Sequence, residues 1–159
     1  MLRFYRAKYK INDGKNHTEI PMITEEELRE EFKKDRYAKK NGIEIVKVDE
    51  NGSEVRAEIH DCHLNGNDVV HGGMLFTIAD FAFGVAANFR HPDTVTSGAA
   101  ITYLAPCRDT AYIKAEGKEL SVHKHTCVYE VTVTDDKGKT VCLAQINGFI
   151  KQAVPETKD

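Results

Sequence analysis

An aspartate inside an apolar run is the residue whose setting most strongly suggests chemistry. Asp80 lies within residues 74–88, which are rich in Ala, Leu, Met and Phe and directly follow His71-Gly72-Gly73. The run is too long for a typical strand, and its apolar residues fall on every side, so it predicts a buried helix. A buried carboxylate costs free energy to desolvate. The start of a helix, by contrast, offers unpaired N–H groups that suit an oxyanion. The pattern favours a carboxylate base and backbone donors in one site.

The spacing of these residues limits how such a site can be built. His71 and Asp80 are nine residues apart, which is about 13.5 Å along a helix. The two residues of one chain therefore cannot touch. We expect loops, a partner chain, or both to complete the site.

The segments around the apolar helix predict one further helix and six strands. Thr24 and Glu27 form a capping box, and Asn41-Gly42 supplies a stop, so a helix is predicted over 24–40. Strands are predicted at 42–48 and 54–60, joined by a turn containing Asn51-Gly52. After the apolar helix, strands are predicted at 94–105, 111–120, 125–135 and 140–151.

This order of elements predicts the fold class and the domain limits. The 159 residues are enough for one domain. We expect an α+β fold in which an antiparallel sheet of about six strands wraps around one long buried helix, with an additional N-terminal helix. The predicted boundaries are an N-terminal extension at 1–23, a single domain at 24–151 and a polar tail at 152–159.

Composition excludes several classes of protein. The net charge of −3 argues against nucleic acid as a partner. No apolar stretch reaches membrane-spanning length without a charge, and the first residues lack the apolar core of a signal peptide. The four cysteines form no CxxC pair and are expected to be reduced thiols, which predicts a cytoplasmic protein without a membrane partner.

A set of motifs resembles the PaaI-like acyl-CoA thioesterases, which have the hotdog fold. The resemblance covers about residues 38–150 and rests on five features: Asn65, six residues before His71; His71-Gly72-Gly73; Asp80; Asn88 at the helix end; and the strand Ile101-Thr102-Tyr103-Leu104-Ala105-Pro106.

The resemblance implies hydrolysis of acyl-CoA to free acid and CoA, with no metal or organic cofactor. It implies that Asp80 acts as general base or nucleophile and that the N–H of Gly72 or Gly73 polarises the thioester carbonyl. Asn65 would place the water or the thioester. Thr96 is the favoured assisting hydroxyl at the start of the next strand, ahead of Ser97.

Residues expected to contact substrate surround these catalytic candidates. They are His71, Ser97, Asn88 and Arg108, the last as one of several basic residues in loops that suit CoA phosphates. The resemblance also implies a site between two subunits. Because a single subunit would expose its edge strand, we expect a two-fold dimer as the minimum unit. A tetramer of two such dimers is the alternative that stays open.

Several plainer interpretations stay open at this stage. Asp80 could accept structural hydrogen bonds, His71 could only hold its loop, and Asn88 could only cap the helix. His60, Cys62 and His63 lack the spacing of a zinc site, so no metal is predicted. The alternative function is a non-catalytic acyl-CoA-binding or regulatory domain, which would be expected to lack the carboxylate or the glycine donors. A hotdog dehydratase would carry other motifs.

Overall fold

The structure, a computed structural model, describes residues 23–151 of the chain. The predicted extension lies outside these residues apart from Ile23, and the predicted tail lies wholly outside them. The described elements, in chain order, are α1 (Glu25–Phe32), α2 (Arg36–Lys40), β1 (Ile43–Asp49), β2 (Gly52–Glu58), a short 3-10 helix (Asp61–His63), α3 (Gly72–Arg90), β3 (Thr94–Tyr103), β4 (Tyr112–His123), β5 (Thr126–Asp135) and β6 (Thr140–Ile150).

Six antiparallel strands form one sheet in the order β1-β2-β4-β5-β6-β3. Helix α3 contacts every one of these strands. The sheet turns alternate side chains toward the helix, as in β5, where Cys127, Tyr129, Val131 and Val133 are all buried. The predicted fold class, a sheet wrapped around one long buried helix, is confirmed.

The β1–β2 hairpin shows how closely the sheet packs on itself. Asp49 pairs with Gly52 across the predicted turn. Gly52 has a φ of 136°, and a Cβ atom there would lie 2.0 Å from the carbonyl oxygen of Gly117 on β4. Only glycine fits this position, because both the backbone angle and the close approach of β4 exclude a side chain.

The predicted single helix over 24–40 is wrong, because it is broken after Phe32. Asp35 interrupts the helix, and its carboxylate accepts hydrogen bonds from the N–H groups of Tyr37 and Ala38 and so caps a second helix, α2. The capping box at Thr24 and Glu27 is present as predicted. Helix α1 packs against α3 and β1.

The two edge strands of the sheet differ in what covers them. At the β1 edge, Arg29 of α1 donates hydrogen bonds to the carbonyl oxygens of Ile45 and Val46. At the other edge, most residues of β3 are exposed, and α3 is the helix that contacts this strand. Among the described residues, β3 thus forms a long edge of the sheet with no strand beyond it, the kind of edge that accepts another strand.

Helix α3 is long and apolar enough to cross a membrane by length and composition alone. However, 56% of its most apolar stretch is buried inside the fold. Because the sheet surrounds it, this composition is what a core helix requires.

Candidate active site

Asp80 lies in the middle of α3, and its carboxylate is held by a hydroxyl group. The Oγ1 atom of Thr96 donates a hydrogen bond of 2.6 Å to Oδ1 of Asp80. Asp80 is only partly buried, in contrast to its neighbours Ala79 and Phe81. The apolar setting expected for this carboxylate is therefore open on one side, where a cavity lies beside it.

This cavity has a volume of about 350 Å³ and a mostly apolar lining. Asp80, Gly84 and Asn88 line it from α3, and Thr94, Val95 and Thr96 line it from β3; Ile23, Leu28 and Phe32 close it on the side of α1. An apolar cavity with a few converging polar groups is the usual form of a small-molecule site.

A β-bulge in β3 selects between Thr96 and Ser97. Thr96 pairs with Gly148 of β6 and Gly98 pairs with Asn147, which leaves Ser97 as the extra residue. The hydroxyl group of Ser97 donates to the carbonyl oxygen of Asn147 instead. The structure thus brings Thr96, but not Ser97, to Asp80.

Asn88 lines the same cavity, but its amide is engaged in holding the chain. Its Nδ2 atom donates to the carbonyl oxygens of Gly84 and Thr94, and its Oδ1 atom accepts from the N–H of Thr94. Asn88 therefore joins the end of α3 to the start of β3, and a contact with substrate stays a prediction.

At the start of α3, the two glycines differ in what their N–H groups do. His71 is the N-cap residue, and its Nδ1 atom accepts a hydrogen bond of 2.8 Å from the N–H of Gly73. The N–H of Gly72 has no acceptor within residues 23–151. Of the two expected oxyanion donors, Gly72 is the one that can bind a ligand without first losing a bond.

Asn65 and Arg108 lie near this helix start rather than near Asp80. The Oδ1 atom of Asn65 accepts from the N–H groups of Asn67 and Val69, which shapes the loop before His71. The N–H of Val70, the residue before His71, donates to the carbonyl oxygen of Cys107. The exposed Arg108 follows Cys107 in the chain. The amide nitrogen of Asn65 is left as a donor.

The predicted residues therefore form two groups. The cavity group consists of Asp80, Thr96 and Asn88. The helix-start group consists of Asn65, His71, Gly72, Gly73 and Arg108. Gly72 and Asp80 are eight residues apart on α3, about 12 Å along its axis, so one chain does not bring the two groups together.

The comparisons with known proteins identify the family of the chain. The model of the thioesterase superfamily matches residues 67–142. The acyl-coenzyme A thioesterase PaaI of Escherichia coli (strain K12) is 33% identical over 118 residues, which is 70% of this chain and 80% of that protein. The chain belongs to the thioesterase superfamily, among its PaaI-like hotdog members.

Solved thioesterase structures share the fold. The Escherichia coli PaaI structure has a TM-score of 0.74 at 30% identity and covers 79% of this chain and 91% of that chain. A hypothetical thioesterase from Streptococcus pneumoniae TIGR4, solved with coenzyme A, has a TM-score of 0.66 at 27% identity, covering 71% of this chain and 88% of that chain. The family predicted from the central motifs is confirmed.

Within this thioesterase the other reactive groups are poorly placed for chemistry. Burial raises the pKa values of Cys107, Cys127 and Cys142 to about 11, so these thiols stay protonated at neutral pH. Burial also lowers the pKa of His63, whose Nδ1 atom accepts from the N–H of His60. Within residues 23–151 no three side chains are grouped so that they could hold a metal ion.

Two parts of the site were missed at the sequence level. Leu28 and Phe32, which form one wall of the cavity, are four residues apart and so lie on one apolar face of a helix. This spacing predicts a helix that covers other residues, but it does not show which residues it covers. Tyr103 was noted only as part of a strand motif. Its hydroxyl group donates to the carbonyl oxygen of Gly72 and places its ring beside the helix start.

Proposed function

We propose that this protein hydrolyses acyl-CoA thioesters to free acid and CoA at Asp80. The observation that carries the proposal is the Asp80 carboxylate, fixed by Thr96 beside an apolar cavity. The hydrogen bond occupies Oδ1, which leaves Oδ2 for a water or a carbonyl carbon. A catalytic carboxylate must contact the substrate, and a fixed, partly exposed carboxylate next to an apolar cavity can do so.

Asp80 can perform the reaction in two ways. As a general base it removes a proton from water, and the hydroxide attacks the thioester carbonyl carbon. As a nucleophile it attacks that carbon itself, and water then hydrolyses the resulting anhydride. In both routes a tetrahedral oxyanion forms, the C–S bond breaks, and CoA leaves as a thiolate that takes up a proton.

The oxyanion needs a donor that lies near Asp80, and the same chain's Gly72 is too far away. We assign this donor to Gly72 of a second copy of the chain, together with the amide nitrogen of Asn65 and the basic side chain of Arg108 for CoA phosphates. The helix dipole adds a favourable positive potential at this position.

The proposal therefore includes a two-fold dimer formed through β3. Within residues 23–151 no strand lies beyond β3, whereas Arg29 covers carbonyl groups at the β1 edge. Pairing of two β3 strands would continue the sheet and remove the exposed edge. Sedimentation showing only monomers at micromolar concentration would contradict both the dimer and the shared site.

The proposed reaction uses no metal or organic cofactor, because the carboxylate and the backbone donors supply the catalysis. CoA enters as part of the substrate. The four cysteines at 62, 107, 127 and 142 are free thiols, which supports the proposal of a reducing, cytoplasmic environment.

The test is thiol release from a panel of acyl-CoAs by the wild-type protein and by Asp80→Asn. The variant keeps the shape of the side chain and removes the basic oxygen, so folding should survive. We expect kcat to fall by about two orders of magnitude or more. Wild-type protein that binds acyl-CoA without releasing thiol would instead indicate a binding domain.

A further inference from the structure

The cavity beside Asp80 has one wall that the thioesterase superfamily match does not include. The match spans residues 67–142, whereas Ile23, Leu28 and Phe32 belong to the preceding segment. Leu28 is almost fully buried, which anchors α1, while Phe32 is only partly buried. Phe32 therefore borders the open space.

The ring of Phe32 borders the cavity and packs against α3 close to Phe81 and Gly84. It meets Phe81 edge to face, with ring centroids 5.3 Å apart at an interplanar angle of 88°. A methyl group added at Gly84 would lie 3.4 Å from Cε1 of Phe32. Gly84 is about one helical turn from Asp80, so the ring narrows the cavity roughly one turn beyond the carboxylate, before the part that Asn88 lines.

The charges around the cavity indicate which half of an acyl-CoA enters it. Glu31 and Asp35 line it together with Asp80, and none of the described lining residues is basic. Glu31 is paired with Lys34, which lies outside the lining, so the negative potential comes mainly from Asp35 and Asp80. The CoA half carries phosphates, which this potential repels. The apolar lining and the acidic side chains together fit the acyl half, provided that it carries no negative charge.

We propose that helix α1 sets the acyl specificity of the site, with Phe32 as the residue that limits acyl length and with uncharged acyl groups as the class accepted. This inference rests on the proposed function. The carbonyl carbon lies at Asp80, the acyl chain passes Gly84, and its far end meets the ring of Phe32.

Two substitutions should move the acyl preference in opposite directions. Phe32→Ala removes the ring and lengthens the cavity. Gly84→Ala adds a methyl group in ordinary van der Waals contact with Phe32, so it narrows the passage without displacing backbone. Phe89→Ala is the matched control, because Phe89 is also partly buried against the core but does not line the cavity.

The experiment measures kcat/KM for saturated acyl-CoAs from butanoyl to dodecanoyl, and for succinyl-CoA. We expect the ratio of kcat/KM for dodecanoyl-CoA to that for butanoyl-CoA to rise about tenfold in Phe32→Ala and to fall in Gly84→Ala. The reason is that each methylene contact in an apolar pocket changes kcat/KM by a measurable factor. Phe89→Ala should leave the ratio unchanged. Wild type should prefer butanoyl-CoA to succinyl-CoA.

Failure of this inference differs from failure of the proposed function. Wild-type turnover with an unchanged ratio in both cavity variants overturns the length limit alone, and equal use of succinyl-CoA overturns the charge selection. Absence of thiol release from wild type overturns the proposed function. If Phe32→Ala does not fold, Phe32→Leu makes the same test, with a smaller expected rise.

Discussion

At its carboxyl end helix α3 finishes in polar side chains that are bonded within the chain, whereas its amino end presents an N–H donor, that of Gly72, which has no acceptor among the described residues. Glu119 of β4 accepts from the hydroxyl group of Tyr129 and contacts His91, the C-cap residue, at 2.6 Å. Asn88 bonds Gly84 and Thr94.

The amino end is organised in the opposite way. Gly72 has an N–H without an acceptor among the described residues, and Phe76, Tyr103 and Leu104 are exposed around it. Buried polar groups that satisfy one another stabilise a fold, while donors left open at a helix start can serve a ligand. The carboxyl end therefore stabilises the fold, and under the proposed function the amino end binds substrate beside a second subunit.

The largest expected effect comes from removing the open donor. Gly72→Pro deletes the N–H, and proline suits the first position of a helix. His71 has a ψ of 136°, which a following proline favours. We expect kcat to fall by about 10²–10³, the usual cost of losing an oxyanion donor. The free energy of unfolding should change little.

Gly72→Ala is the matched control, because it places a Cβ atom at the same distance, 3.2 Å, from the exposed ring of Tyr103 but keeps the N–H. Equal losses in the alanine and proline variants would mean that shape, and not the donor, matters at this position.

Co-expression of Asp80→Asn with Gly72→Pro tests whether Asp80 of one subunit and Gly72 of another form one site. Each mixed dimer would contain one site without either substitution. Random pairing should then restore about a quarter of wild-type activity, measured as thiol release. If the mixture stays as inactive as the separate variants, Asp80 and Gly72 of different chains do not form one site.

At the carboxyl end the expected effect is on stability. Burial raises the pKa of Glu119, but hydrogen bonds from Tyr129 and His91 lower it by more, so that the pKa lies below the ordinary value of 4.5. Glu119→Gln should lower the free energy of unfolding by about 1–3 kcal/mol at pH 7, because it weakens a partly buried charged network. Chemical denaturation measures this loss.

The pH dependence of that loss follows from the direction of the pKa shift. A carboxyl group whose pKa is lower in the folded state stabilises the fold at pH values above its unfolded-state pKa. This stabilisation is lost as the pH falls through the folded-state pKa. The difference between wild type and Glu119→Gln should therefore shrink below pH 4.5. Glu58→Gln, which breaks an exposed pair with Arg56, is the control and should change stability little. A difference that stays constant down to low pH would argue against the network.

Sequence patterns predicted the parts that depend on periodicity and missed those that depend on contact. The buried helix, the capping box and the six strands follow from apolar spacing and turn residues. The break at Asp35 was missed because a charged helix face and an N-cap look alike in sequence. The wall at Phe32 and the network at Glu119 join residues that are distant in the chain, and no local pattern signals such contacts.

Thr96 offers the smallest effect and a test of the bulge in β3. Thr96→Val keeps the shape but removes the hydrogen bond to Asp80. A bond to a charged group is worth about 1.5–3 kcal/mol, so we expect kcat/KM to fall by at least about tenfold while the fold is retained. Ser97→Ala is the matched control, since that hydroxyl group bonds the carbonyl oxygen of Asn147 instead. A larger loss in Ser97→Ala than in Thr96→Val would mean that the bulge is shifted by one residue when substrate binds, because that shift would exchange the two side chains at Asp80.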